Sequence, residues 1–134
     1  MPAQQTQPRI VLADDHDSIV IACRRLLGAE FDVVATARHG QEALDVIATH
    51  TPDIVVLDLS MPILTGVEVL EVLHDRGGRT RAVVLTVNAD SAIADRAIEL
   101  GAYGYVVKSR MARDLAPAIR AALAGTRFRS PIPG

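Results

Sequence analysis

A chain of 134 residues, 49% of them apolar, is long enough for one domain that buries roughly two-thirds of its unfolded surface around a single core. Its 14 basic and 16 acidic residues leave a formal charge of −2, which argues against wholesale binding of this chain to nucleic acid or to a membrane. A lone cysteine, Cys23, excludes an internal disulfide, and no Cys/His spacing suits zinc, so a reducing, cytoplasmic setting is expected.

Residues 1–8 read as a flexible N-terminus, and the opening MPAQQTQPR has no apolar run that could serve as a signal peptide. The first apolar, β-rich run is Arg9 to Ala13, followed directly by Asp14, Asp15 and His16. Ile19, Cys23, Leu26 and Leu27 then recur at helical spacing, which makes Cys23 a small core side chain rather than a nucleophile. A second strand, Asp32 to Ala37, precedes a helix with Ala43, Leu44, Ile47 and Ala48 on one stripe. The third strand, Ile54 to Leu57, ends at Asp58, and its helix runs through Val67, Leu70 and Leu73. Ala82 to Thr86 is a fourth strand, with a helix through Ile93, Ala97 and Leu100 behind it. The fifth strand, Gly104 to Val107, leads to Lys108 and to a stripe of Leu115, Ala118, Ile119, Ala122 and Leu123. Gly28, Gly77, Gly101 and Gly125 stand where helices should stop. Pro117 interrupts the last stripe, so that helix either starts close by or accepts a kink. The tail Thr126 to Gly134 (TRFRSPIPG) has no apolar period and reads as a linker cut short. Six cations against one acid lie beyond Val107 (Lys108, Arg110, Arg113, Arg120, Arg127 and Arg129 against Asp114), a distribution suited to a solvated helix face and tail. No segment approaches the ~18 apolar residues that a membrane span requires.

Strict alternation of strand and helix implies right-handed crossovers and a parallel sheet with helices on both faces. The near-continuous Val, Ile and Leu content of the strands is what burial on both faces demands. The expected fold is a single doubly wound α/β domain over residues 9–125, flavodoxin-like, with five strands; the order 2-1-3-4-5 is the form expected for such a sheet and is not read from periodicity alone. In that topology ligands bind beyond the carboxyl ends of the strands, and the residues there carry the function.

Those ends hold Asp14 and Asp15 after the first strand, Asp58 after the third, Thr86 at the fourth and Lys108 after the fifth. Three clustered carboxylates repel one another unless a hard cation with oxygen ligands relieves them, which favours Mg²⁺ (or Mn²⁺) over zinc. His16 is adjacent but is expected to point away from the metal, as a loop or helix-start residue. A hydroxyl and an ammonium facing a metal-bound carboxylate can hold the non-bridging oxygens of a transferring phosphoryl group. Asp58 is then the nucleophile that becomes an aspartyl phosphate. Taken singly, each residue has an ordinary explanation: an Asp pair caps a helix, a Thr ends a strand, a Lys is solvated. Their joint placement on one sheet is what points to a site.

The motif set resembles the response-regulator receiver family over Arg9 to about Gly125. It consists of Asp14-Asp15; IVVLDLSMP containing Asp58, with Pro62 and Gly66 after it; VVLT ending in Thr86; and GAYGYVVKS containing Tyr105 and Lys108. DDH, GQEAL, LTV and LAGTRFRSP further resemble its NarL/LuxR-type subfamily. The resemblance implies that Asp15, Asp58 and the backbone carbonyl of Ser60 bind the metal directly while Asp14 assists through water. It also implies a sensor histidine kinase as phosphodonor, and an inward turn of Tyr105 as Thr86 approaches the phosphoryl group. That turn would switch the surface formed by the fourth helix, fifth strand and fifth helix. Rim residues Ser60 and Asn88 are candidates for setting the phosphate lifetime. A receiver of this kind carries out its own phosphotransfer and dephosphorylation without being a turnover enzyme. Members of the subfamily usually continue into a helix-turn-helix domain, so promoter DNA is an expected partner only through a C-terminal domain absent from this chain; a stand-alone receiver is the other possibility. Exposed helix faces can support a homodimer on phosphorylation. Many receivers place a proline after the lysine, whereas Ser109 stands here, so the cis peptide found at that proline is not carried over.

Two other readings use the same residues. A Mg²⁺-dependent aspartyl-phosphate hydrolase of the haloacid-dehalogenase kind also combines Asp, Thr and Lys, but its nucleophile follows the first strand in a DxD arrangement. A non-phosphorylated protein-binding module would have no use for the complete residue set.

Overall fold

The computed structural model describes residues 7–132. The expected flexible N-terminus lies mostly, and the last two tail residues lie wholly, outside the described residues. Six strands and five α-helices alternate: β1 (Arg9–Ala13), α1 (Asp17–Leu27), β2 (Asp32–Ala37), α2 (Gly40–His50), β3 (Ile54–Leu57), α3 (Gly66–Arg76), β4 (Arg81–Thr86), α4 (Ser91–Glu99), β5 (Gly104–Val107), α5 (Met111–Leu123) and β6 (Phe128–Arg129). All pairings are parallel, in the order β2-β1-β3-β4-β5-β6. The doubly wound α/β expectation holds, and the strand count becomes six rather than five.

Successive side chains of each central strand serve opposite faces. Val11, Ala13, Val55, Leu57, Val84, Tyr105 and Val107 pack with α2, α3 and α4. Ile10, Leu12, Ile54, Val56, Val83, Leu85 and Val106 pack with α1 and α5, where Cys23 is buried as expected. Two apolar layers thus hold the sheet rigid between them. The polar strand ends are left as the place where chemistry can be built.

The sixth strand lies within the tail expected to be a linker. Gly125, at φ +82°, takes a conformation open to glycine and reverses the chain after α5. The Thr126 N–H returns to the Ala121 carbonyl at 2.9 Å, closing the helix. Phe128 then donates to the Tyr103 carbonyl (2.9 Å) and Ser130 to that of Tyr105 (2.8 Å), covering the outer edge of β5. Phe128 is half-buried, Arg129 exposed and Ser130 buried, a strand alternation only three residues long. The start of α5 is also settled: the helix begins at Met111 and runs through Pro117, six residues further on. Pro117 lies on the exposed side, so the carbonyl of Arg113 that loses its N–H partner is on a wet face.

Candidate functional site

The ladder fixes the acidic residues by their main chains. The Asp14 N–H donates to the Ala37 carbonyl (3.0 Å) and the Asp58 N–H to that of Ala13 (2.9 Å), so each carboxylate leaves from a hydrogen-bonded strand end. One ligand atom from each of Asp14, Asp15, His16 and Asp58 falls within 4.8 Å of the others. Lys108 closes the site from β5, its Nζ 2.9 Å from Asp14 Oδ2 and 3.7 Å from Asp58 Oδ1.

Asp58 is almost fully enclosed. Burial raises its carboxyl above the ordinary carboxylate range, the neighbouring Asp14 charge adds to this, and Lys108, with the Ser60 N–H, partly opposes it. Oδ1 accepts from the Ser60 N–H at 3.3 Å, whereas Oδ2 is buried with no hydrogen-bond partner. Asp14 Oδ2 and Asp15 Oδ1 likewise accept no well-directed hydrogen bond, although a Lys108 or His16 nitrogen lies near each. Buried carboxylate oxygens left bare are costly. With one oxygen of each carboxylate within 4.8 Å of the others, the donor set suits a hard divalent cation.

The loop after β3 brings α3 against the backbone of Asp58. A Cβ on Gly66 would lie 2.2 Å from the Asp58 carbonyl oxygen and 2.6 Å from the Leu59 Cα, so only glycine permits this approach. Thr65 caps the helix, accepting from the Glu68 N–H while Glu68 Oε1 accepts from the Thr65 N–H (3.0 Å), a reciprocal pair that fixes where α3 starts. Earlier in the same loop Ile63 adopts φ +70° and is 77% exposed, a rare conformation for a β-branched residue.

Thr86 is buried at the end of β4, and its Oγ1 accepts from the Asn88 N–H at 3.2 Å. The Asn88 carbonyl in turn accepts from the Tyr105 hydroxyl at 2.7 Å. One peptide loop therefore bridges the hydroxyl of Thr86 and the ring of Tyr105. Tyr105 is 0% exposed, its ring already enclosed beneath α4 and the loop after β4.

Asp14, Asp15, Asp58 and Lys108 are thus brought together, Thr86 takes its place at the strand end, and Ser60 and Asn88 are exposed beyond it. His16 departs from expectation. Its Nδ1 lies 3.1 Å from carboxylate oxygens of both Asp14 and Asp15, so the ring turns toward the acidic pair rather than away. The reason is electrostatic, because an imidazole at the mouth of a carboxylate cluster gains an acceptor for its N–H. Sequence reasoning missed Ser130, which the fold buries against the end of β5, one residue before Lys108: its Oγ accepts from the Val107 N–H (3.2 Å) and donates to Asp114 Oδ2 (2.7 Å). Its only sequence signal was the short alternation Phe128-Arg129-Ser130.

Known proteins resemble this chain in sequence and in fold. The response regulator receiver domain model matches residues 10–120. An uncharacterized transcriptional regulatory protein of Bacillus subtilis, YvfU, is 36% identical over 92% of this chain and 62% of its own length. The transcriptional regulatory protein DesR of the same organism is 36% identical over 91% of this chain and 61% of its own. The chain therefore spans about three-fifths of these relatives, 62% and 61%. Among solved structures, a LuxR-family two-component response regulator from Aurantimonas is 40% identical and superposes with a TM-score of 0.88 over 94% of this chain and 91% of that one. With the acidic cluster at the strand ends of the same fold, the chain belongs to the response regulator receiver domain family.

Proposed function

We propose that this receiver accepts a phosphoryl group on Asp58 from the phosphohistidine of a sensor kinase. The observation that carries the proposal is Asp58 itself: buried, with Oδ2 unpartnered, between two further carboxylates and the Lys108 ammonium. An Asp58 oxygen forms the new P–O bond as the P–N bond to the donor imidazole breaks, and the electron pair of that bond leaves with the imidazole. Asp14, Asp15, Asp58 and the Ser60 carbonyl would hold Mg²⁺ or Mn²⁺, which supplies positive charge against the phosphoryl oxygens. Lys108 releases its hold on Asp14 and Asp58 to pair with a phosphoryl oxygen. Thr86 turns its hydroxyl from the Asn88 N–H to another. Because Asn88 is also the acceptor for Tyr105, that turn is felt at β5 and α4. Ser60 and Asn88, exposed at the rim, govern the approach of water and so the lifetime of the acyl phosphate. The protein dephosphorylates itself and turns over no separate substrate.

The relatives are named as transcriptional regulators and extend well beyond the length matched here, which supports a DNA-binding output in the same polypeptide and a cytoplasmic setting. Among the described residues no helix is long and apolar enough to cross a membrane. The test is incubation with Mg²⁺ and a small acyl phosphate, or with beryllofluoride. The wild type should gain one base-labile, hydroxylamine-sensitive phosphate or bind one beryllofluoride, and Asp58→Asn should do neither. Turnover of phosphomonoesters would point to a hydrolase instead, and failure of the wild type to take up either ligand would sink the proposal.

A further inference from the structure

Ser130, at the end of β6, is tied to the strand that leads into Lys108 and to α5. Ser130 is buried at the end of β6 and is followed by Pro131, which has no N–H to offer. Its hydroxyl, rather than a main-chain group, accepts the buried N–H of Val107, the last residue of β5 and the one that precedes Lys108. The same hydroxyl donates to Asp114 Oδ2, which also accepts from Arg110 Nε at 2.9 Å. Arg110 closes the single 3₁₀ turn, Lys108–Arg110, that begins at Lys108. Both ends of the turn carrying Lys108 are therefore tied to one buried Ser–Asp pair.

The neighbouring residue reaches the other way. Arg129 Nη1 lies 2.7 Å from Asp95 Oδ1, and Nη2 donates to the Ser91 carbonyl at 3.1 Å, both on α4. Ser130 N–H holds the Tyr105 carbonyl, and Arg129 is the register partner of Tyr105. Three consecutive residues thus touch α4, β5 and α5 at once, beside the strand that carries Tyr105 and leads into the turn at Lys108.

We propose that Ser130, with Asp114, is a positioning residue for Lys108, and that Phe128–Ser130 is the element through which the state of Asp58 reaches the chain beyond the domain. The inference rests on the phosphoacceptor reading above. Lys108 must shift from Asp14 and Asp58 toward a phosphoryl oxygen, and its turn can move only with the Val107–Ser130–Asp114 network. A coupling of this kind is reciprocal: if ligand at Asp58 biases the tail, loss of the tail's anchor alters ligand affinity by the same factor, commonly about 5-fold to 150-fold.

The test is titration of this chain with beryllofluoride in Mg²⁺, followed by amide NMR. Ser130→Ala should weaken binding by about 5-fold or more, and Ser130→Thr, which keeps the hydroxyl, should restore it. Leu27→Ala, a core truncation at the end of α1 remote from Asp14, should lower stability and leave the affinity unchanged. In the wild type, the Val107, Arg129 and Ser130 amides should shift with the same midpoint as those around Asp58, a readout that stands even if Ser130→Ala does not fold. Wild-type affinity in Ser130→Ala, an equal loss in Leu27→Ala, or silent tail amides at saturation would each overturn the inference while leaving the phosphoacceptor reading intact. Absence of any beryllofluoride binding by the wild type would instead remove that reading, and this inference with it.

Discussion

Asp58 is held in a position that folding alone would not choose. Its carboxyl is pushed up by burial and by Asp14, so its ionised form is a net cost that Lys108 offsets only in part. In metal-free buffer near neutral pH, Asp58→Asn should therefore raise Tm by about 2–5 °C, as calorimetry would show; an unchanged or lowered Tm counts against the repulsion. Asp114 behaves in the opposite sense. Burial pushes its carboxyl up, but the Ser130 hydroxyl and the Arg110 guanidinium outweigh this and hold it below the ordinary range. The folded state then binds this proton more weakly than the unfolded chain. Its stabilisation is fully present above the unfolded value of about 3.9 and is lost as pH falls through the folded one. Asp114→Asn should cost about 1–3 kcal/mol at pH 7, with the gap to wild type closing below about pH 4, as urea titrations across that range would reveal. Asp14, Asp15, Asp58, Thr86 and Lys108 were legible in the sequence because each follows a strong apolar run whose end is unambiguous. Ser130 and the inward turn of His16 were not, since both depend on which distant groups the fold places beside them.

At the scale of elements, the apolar periods and glycine stops located the first five strands and all five helices, because burial on two faces writes those periods into the sequence. The two-residue β6 carries no period long enough to read, and its place is set by the turn at Gly125 and by the free edge of β5. Pro117 was ambiguous for a related reason: a proline signals a helix boundary only when packing does not override it. Here Leu115, Ala118, Ile119 and Ala122 are fully buried around it, and their burial outweighs the lost hydrogen bond. Pro117→Ala should restore that bond and stabilise the protein by about 1–2 kcal/mol, the helix gain being partly offset by a looser unfolded chain. Gly66→Ala should do the reverse. The added methyl meets the Asp58 backbone, so α3 must move, at a cost of about 2 kcal/mol or more and with impaired beryllofluoride binding. A Gly66→Ala protein of wild-type stability would show that the loop gives way freely.

The molecule as a whole places three carboxylates at the centre of its sheet and apolar layers on both sides of it. Repulsion at the strand ends is thus opposed by packing that has no direct contact with solvent charges, and any ligand that relieves it must stabilise the entire fold. A divalent cation binding only the folded chain adds RT ln(1 + [L]/Kd), about 2.7 kcal/mol at a concentration one hundredfold above Kd, which corresponds to roughly 8–12 °C in Tm for a domain of this size. Mg²⁺ should accordingly raise the melting temperature in a saturable manner, and EDTA should reverse it. Asp15→Asn should abolish the rise because it removes a negative charge from the cluster and leaves a neutral amide in its place, whereas Pro117→Ala, distant from the cluster and changing only helix α5, should shift the baseline and keep the full increment. Equal melting temperatures with Mg²⁺ and with EDTA would mean that Lys108 alone neutralises the site, and that the bare oxygen of Asp58 is tolerated without a metal.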